Sequence, residues 1–206
     1  MIHSFSLLFG VFLISACQKK TEQVETNRDV EIPVVIDPHK ALESKALELH
    51  RFAQEAGYST EEAILIDFSR HSGQNRYFIW DFQKNKPEYE GLVAHGHCQS
   101  PEASETVVFS NVEGSNCSAE GKYGIGQKYE GQFGTAYKLN GLEDSNSAAF
   151  KRYIVMHGHD CVPDTQQSSS ICQSEGCPTL SPEMMKTAIK VIDGSEKPIL
   201  MWIFKA

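Results

Sequence analysis

The chain has 206 residues, 40% of them hydrophobic, which is enough for one buried core and, at about 100 to 200 residues per domain, leaves little room for a second. Its formal net charge of -8 and pI near 5.5 come with Lys and Arg scattered along the sequence. No basic stripe for a phosphate backbone results, and nucleic acid is not an expected partner.

The first feature in chain order is the apolar run Phe5 to Ala16. It is too short for the roughly 20 residues that span a bilayer and reads as the core of a secretion signal. The run ends in Leu13-Ile14-Ser15-Ala16-Cys17, which resembles a bacterial lipobox. Residues 1–17 are therefore expected to be a lipoprotein signal, with Cys17 lipidated. Only His3 stands where Lys or Arg normally precedes such a run, and an ordinary cleaved signal beside a bystander cysteine is the alternative. Gln18, in place of Asp, resembles lipoproteins passed to the outer membrane. The expected location is thus the periplasmic face of a bacterial membrane, lipid-anchored.

Residues 18–36 are polar, of mixed charge and without periodicity, and read as a flexible tether to a folded part over 37–206. Asp37-Pro38 has the form of an N-cap followed by proline at the first helical position. Leu42, Ala46, Leu49, Phe52, Ala53 and Ala56 then recur at helical spacing until Gly57. Ala63–Phe68 and Arg76–Phe82, rich in branched and aromatic residues around a turn-like 70–75, predict paired strands. Further strands are expected over Gly91–His95, Val107–Phe109, Lys122–Tyr129, Ala136–Leu139 and Tyr153–His157, and the interspersed glycines favour short strands and tight bends. Ser181-Pro182-Glu183 caps a second helix with Met185, Ala188, Ile189 and Ile192 on one face and Gly194 at its end. Pro198–Phe204 reads as a buried closing strand. The pattern is mainly β (α+β): a β-sandwich or partly closed barrel with an N-terminal helix and a helix after residue 181.

The apolar strand 153–157 delivers His157 and then Gly158, and twenty residues on, Ser174-Glu175-Gly176-Cys177-Pro178 sets a cysteine in a glycine turn ahead of a helix. Converging N–H groups and a histidinium at such a turn stabilise a thiolate, lowering a thiol pKa from about 8.5 to as little as about 3.5 to 7.5. Cys177 and His157 thus form a candidate nucleophile and base, with a third group needed to orient the imidazole. Glu175 opposes this, because a negative charge beside the sulfur raises the thiol pKa. Taken singly, Cys177 in an exported protein reads as half of a disulfide and His157 as a satisfied strand residue. Their pairing is what points to catalysis.

These residues resemble the L,D-transpeptidase catalytic domain family (YkuD-like), in particular its murein L,D-transpeptidase branch. The family pattern is a strand-borne His-Gly followed, after a variable loop, by Ser-x-Gly-Cys. It is matched here by Met156-His157-Gly158 and Ser174-Glu175-Gly176-Cys177. Ala63–Phe82, Leu92–Gly96, Thr106–Asn111, Gly141-Leu142-Glu143 and Gly176-Cys177-Pro178 resemble that branch in the same order, over roughly residues 40–204. Most of the wider family has histidine before the Gly-Cys and Asn or Arg two residues after the cysteine. Here Glu175 and Thr179 stand there, so contacts made by those residues do not carry over.

The resemblance implies roles. Cys177 is the nucleophile and His157 the base, and the Gly158 carbonyl orients the imidazole. The Cys177 N–H, helped by Gly176, faces the oxyanion, while Ser174 supports the turn. The implied substrate is a peptidoglycan stem tetrapeptide, attacked at its third residue to release the terminal D-alanine. The acyl-enzyme is then passed to an amine, or to water in an L,D-carboxypeptidase. No metal or organic cofactor is called for, because cysteine chemistry supplies the nucleophile. The other partner implied is the membrane, through the anchor at Cys17, and the protein is expected to be a monomer. With Cys17 and Cys177 so assigned, Cys98, Cys117, Cys161 and Cys172 allow three pairings. The local one, Cys98 with Cys117 and Cys161 with Cys172, closes two Gly/Ser-rich loops and would stabilise by about 3 kcal/mol each.

Two rivals belong to other classes. His95-Gly96-His97-Cys98 and His157-Gly158-His159-Asp160-Cys161 each place two histidines on one side of a strand with a cysteine nearby, as in a zinc-dependent hydrolase. The domain could instead be a catalytically inactive peptidoglycan-binding lipoprotein.

Overall fold

The computed structural model describes Met1 and residues 38–99 and 106–206; the expected signal, Cys17, the tether and the Asp37 cap lie outside the described residues. The chain divides into two units, Met1–Val35 and Ile36–Ala206, and the second holds all the secondary structure described. Among the described residues no helix is long and apolar enough to cross a membrane.

Helix α1 (Pro38–Ala56) begins with proline, and beyond its end Gly57 adopts φ 80°, the left-handed conformation that lets Gly57 and Tyr58 both donate to the Ala53 carbonyl at 3.0 Å. Its Leu42, Ala46, Leu49 and Ala53 form a buried stripe against Leu65, Phe78, Trp80, Trp202 and Phe204. Strand β1 (Glu62–Asp67) divides its side chains by parity: Ala63 and Leu65 meet α1, while Ile64 and Ile66 enter the main core. β2 (Tyr77–Asp81) pairs antiparallel with β1 and β3 (Lys86–Gly91) with β2. Next in sequence come β4 (Val93–Ala94), β5 (Gly121–Gly131), β6 (Gly134–Gly141), β7 (Val155–Gly158) and β8 (Thr179–Leu180). They are followed by α2 (Pro182–Gly194) and β9 (Leu200–Phe204). Ser181 caps α2 by accepting from the Met184 N–H at 3.2 Å.

All nine strands form one sheet in the order β3-β2-β1-β9-β5-β6-β7-β8-β4. The expected buried closing strand is the last in the chain and sits in the middle of the sheet: β9 runs parallel to β1 and antiparallel to β5. Every residue of it is buried, which suits a continuous apolar run covered on both faces. The two edge strands, β3 and β4, are consecutive in the chain with Leu92 alone between them. The sheet therefore curls until its two ends share one bend, the partly closed barrel of the two expected forms. Arg76, fully buried just before β2, ties that bend: its Nε and Nη2 donate to the Val93 carbonyl of β4 at 2.9 and 2.7 Å.

The differences from expectation are local. Val107–Phe109 supplies only a single bridge, Phe109 with Ser118, and Tyr153 turns with φ 58° ahead of β7. β3 is polar and largely exposed, and β8 is two residues long, so neither carries a hydrophobic period. Leu49 is 0% exposed and Leu47 52%. Leu49→Ala is expected to cost about 2–5 kcal/mol in urea unfolding of the oxidised protein, and Leu47→Ala less than about 0.5 kcal/mol.

Candidate active site

β7 and β8 lie side by side in parallel, with His157 opposite Thr179 and Gly158 opposite Leu180. The segment between them leaves the sheet and returns through Ser174, whose N–H donates to the His95 carbonyl at 2.8 Å and whose carbonyl accepts from the His97 N–H at 2.9 Å. The turn that follows requires glycine at 176: φ is 115°, and a Cβ there would lie 2.8 Å from the Cys117 carbonyl oxygen. Ser174 spans this turn, donating from Oγ to the Cys177 carbonyl at 2.6 Å and accepting from the Gly176 N–H at 3.2 Å. The second bond corrects one expectation. The Gly176 N–H already has an acceptor, so Gly176 contributes shape and not a donor for an oxyanion.

His157 is buried, and its Nδ1 stands 3.0 Å from the Gly158 carbonyl, the group expected to orient it. A carbonyl only accepts, so Nδ1 carries the proton and the lone pair is on Nε2. Nε2 lies 3.2 Å from Thr179 Oγ1, which is also 3.3 Å from the Cys177 carbonyl. The hydroxyl suits both states of the ring. It donates to Nε2 when the imidazole is neutral; when the ring is protonated it accepts from Nε2 and donates to the Cys177 carbonyl. Phe133, at the tip of the β5–β6 hairpin, stacks on His157 with centroids 5.0 Å apart and meets His159 edge-on, also at 5.0 Å. Burial lowers the imidazole pKa, the Gly158 carbonyl partly opposes that, and His159 adds to it.

Cys177 is half-buried and is the free cysteine among the described residues. Its Sγ accepts from the Val155 N–H at 3.5 Å and donates to the Tyr153 carbonyl at 3.7 Å. No hydrogen bond joins it to His157 among the described residues, although both side chains line the same cleft. Burial pushes the thiol pKa up. The Val155 N–H opposes this, Glu175 raises it as its charge predicts, and Arg152 lowers it. Arg152 is held in place by donating to the carbonyls of Ser110 at 2.6 Å and Cys117 at 2.7 Å. Both shifts favour the neutral forms. Those directions run against the thiolate held by a histidinium that the sequence led us to expect.

Cys177, His157 and Thr179 open on a cleft of about 510 Å³ that His97, Phe133 and Gln173 also line. Beyond Phe133 and His159 lies a second recess of about 440 Å³ over Gly158, Asp160, Met185 and Lys186. The disulfides are Cys98–Cys117 and Cys161–Cys172, the local pairing, and Cys161 reaches the cleft wall. These bonds take both cysteines from the zinc reading. His95 Nδ1 faces the Arg76 guanidinium at 2.9 Å, a position closed to a cation. No group of three His, Cys, Asp or Glu placed to hold a metal occurs among the described residues.

Residues 37–202 match the model of the L,D-transpeptidase catalytic domain (YkuD_2). The chain belongs to this family. No curated protein matches it. Among solved structures it is similar to the helical cell shape determining protein Pgp2 from Campylobacter jejuni, with 13% identity, TM-score 0.46, and coverage of 70% of this chain and 47% of that one. It is also similar to the LD transpeptidase LdtMt1 in complex with imipenem (10%, TM-score 0.42, 70% and 59%). An L,D-transpeptidase from Mycobacterium smegmatis matches at 10%, TM-score 0.40, with 70% and 58% covered. The chain spans about half the length of Pgp2.

In this L,D-transpeptidase domain, sequence reasoning missed Arg152, the Thr179 hydroxyl and Phe133. A Gly-Gln-Phe-Gly turn between two strand patterns was the one available signal, and it marked a hairpin tip without saying where the tip lands. Because its pKa is raised, the Cys177 thiol is expected to alkylate ever faster with iodoacetamide as pH climbs past the ordinary thiol value of about 8.5. A rate already level at about pH 6 would mean a thiolate at rest and contradict the neutral pair.

Proposed function

We propose that the protein is a cell-wall L,D-transpeptidase that acts on stem tetrapeptides through a thioester at Cys177. What carries the reading is the combination of one free sulfur and one oriented imidazole on a single cleft, in a chain of this family. Sγ attacks the carbonyl carbon of the third stem residue as its proton passes to His157 Nε2. Thr179 Oγ1 then accepts the new Nε2–H. The oxyanion meets the Cys177 N–H; one such donor is worth about 100- to 1000-fold in rate. Collapse breaks the bond to the terminal D-alanine, whose amine takes the proton from His157. The amine of a second stem attacks the thioester and gives a proton to His157 Nε2, the carbon–sulfur bond breaks, and the leaving sulfur takes that proton to restore the thiol. The recess beyond Phe133 offers this amine an approach separate from the donor's cleft. Water in its place would give an L,D-carboxypeptidase.

The same reading puts the protein in an oxidising space outside the cytoplasm, anchored by lipid at Cys17. Two disulfides beside the cleft support that compartment. Intact-protein mass spectrometry after incubation with purified tetrapeptide muropeptides, or with a carbapenem, is expected to show one covalent adduct that Cys177→Ala abolishes. An unmodified wild type that still binds muropeptide would turn the assignment to the inactive binding module. Thr179→Val, which keeps the shape and removes the hydroxyl, is expected to slow acylation by about 3- to 10-fold in a stopped time course. His157→Gln should slow it by about 100-fold or more.

A further inference from the structure

Gln173 lines the cleft one residue before the Ser174 turn, and a buried pair stands behind it. Arg76 Nη2 lies 2.9 Å from His95 Nδ1, and His95 Nε2 lies 3.1 Å from the end of the Gln173 carboxamide. Arg76 is 0% exposed and His95 2%. A guanidinium has donors and no lone pair, so His95 Nδ1 must accept and the ring proton must sit on Nε2. With nitrogen at the near end of the carboxamide, two N–H donors would then face each other. The near atom as placed is Gln173 Nε2; because the two ends of a carboxamide have nearly the same shape, exchanging them so that Oε1 faces His95 is the assignment that removes the clash of donors. Its NH₂ is thereby left as a donor at the cleft wall.

We infer that Gln173 is a binding residue that presents a fixed N–H donor to an acceptor oxygen of the donor stem peptide, with His95 and Arg76 as the positioning residues that dictate its orientation. The inference rests on the transpeptidase reading for its ligand and on the proton logic of the buried pair for its geometry. The carbonyl of His95 already holds Ser174, so the group that turns Gln173 is also fixed relative to the Cys177 turn. An acceptor oxygen on a stem peptide comes either from a side-chain carboxylate or from a backbone carbonyl, and a neutral amide serves both. Among the cleft-lining residues Glu175 is the one carboxylate, and it is exposed.

The test is binding of a stem tetrapeptide by calorimetry to the full chain carrying Cys177→Ala, so that turnover does not intervene. Two peptides are used, with the third-residue side-chain carboxylate free or amidated. Gln173→Glu still accepts from His95 but puts an oxygen where the NH₂ was. It is expected to weaken the free-acid peptide by at least about tenfold, and Gln173→Ala by less. A loss confined to the free acid assigns the carboxylate as the contact, and an equal loss on both peptides assigns a carbonyl; either supports the inference. Changes below twofold for both peptides overturn it, as does a larger loss for the Ala variant than for the Glu variant, which would mark a structural role. Nitrogen-15 shifts of His95 in the unsubstituted protein give a readout that no folding defect touches: the proton should be on Nε2, and a proton on Nδ1 overturns the geometry. Failure of wild-type acylation with Gln173-dependent binding intact would remove the catalytic reading and leave this one. Acylation with Gln173-independent binding would do the reverse.

Discussion

The position of Cys177 relative to His157 is set by backbone pairing and not by a bond between the two side chains. The parallel ladder of β7 and β8 puts His157 against Thr179, and Cys177 lies two residues before Thr179 on the same segment. A slip of one residue in that ladder would turn Thr179 away from the ring and carry the sulfur with it. Parallel neighbours cannot be joined by a tight turn, so residues 159–178 must leave the sheet and return. That long excursion has no helix or strand of its own. The Cys161–Cys172 disulfide, the pairing of Ser174 with the 95–97 segment, and the small cluster of Leu92, Ala94, Val162 and Ile171 hold it in place of secondary structure. The precision of the site therefore depends on loop crosslinking as much as on the barrel.

A half-buried sulfur with a mild base nearby is a different design from a permanent ion pair. Desolvation dominates the shifts of both groups, and the charges that act on Cys177 pull in opposite directions, Arg152 toward the thiolate and Glu175 away from it. Keeping the sulfur neutral protects it from indiscriminate oxidation, since thiolates are the reactive form. In the proposed mechanism, proton transfer to His157 then belongs to the moment of attack. Thr179 is what allows the ring to change charge without losing its partner, because one hydroxyl serves either protonation state.

The strong local signals were legible. Proline-led caps marked both helices, the aromatic and branched runs marked β1 and β2, and the His157 and Ser174–Cys177 motifs marked the two halves of the site. The rest depended on what the fold brings together. Arg152 acts on a sulfur 25 positions away through space, and nothing in Lys151-Arg152-Tyr153 distinguishes it from a surface charge. Thr179 looked like a departure from a family pattern, and only the register with His157 shows which ring it meets. β3 escaped because Lys86, Glu88 and Glu90 suppress any apolar alternation, and Tyr153 was read into a strand because a left-handed turn leaves no mark in an aromatic residue. The Gly176 N–H was expected to help face an oxyanion because the family resemblance implied it. The neighbouring serine hydroxyl claims it instead.

The curl of the sheet has a bearing on how copies of this protein tolerate crowding. A sheet that ends in long bare strands invites another chain to extend it. Here one end is two residues long, and the other carries Lys86, Pro87, Glu88 and Glu90 along its length. Both ends meet at Leu92, where Arg76 takes up the carbonyl next along the chain. A strand arriving from a neighbour would find a charged rim on one side and almost no ladder on the other. Held side by side at high density, such molecules can approach closely without knitting into fibres.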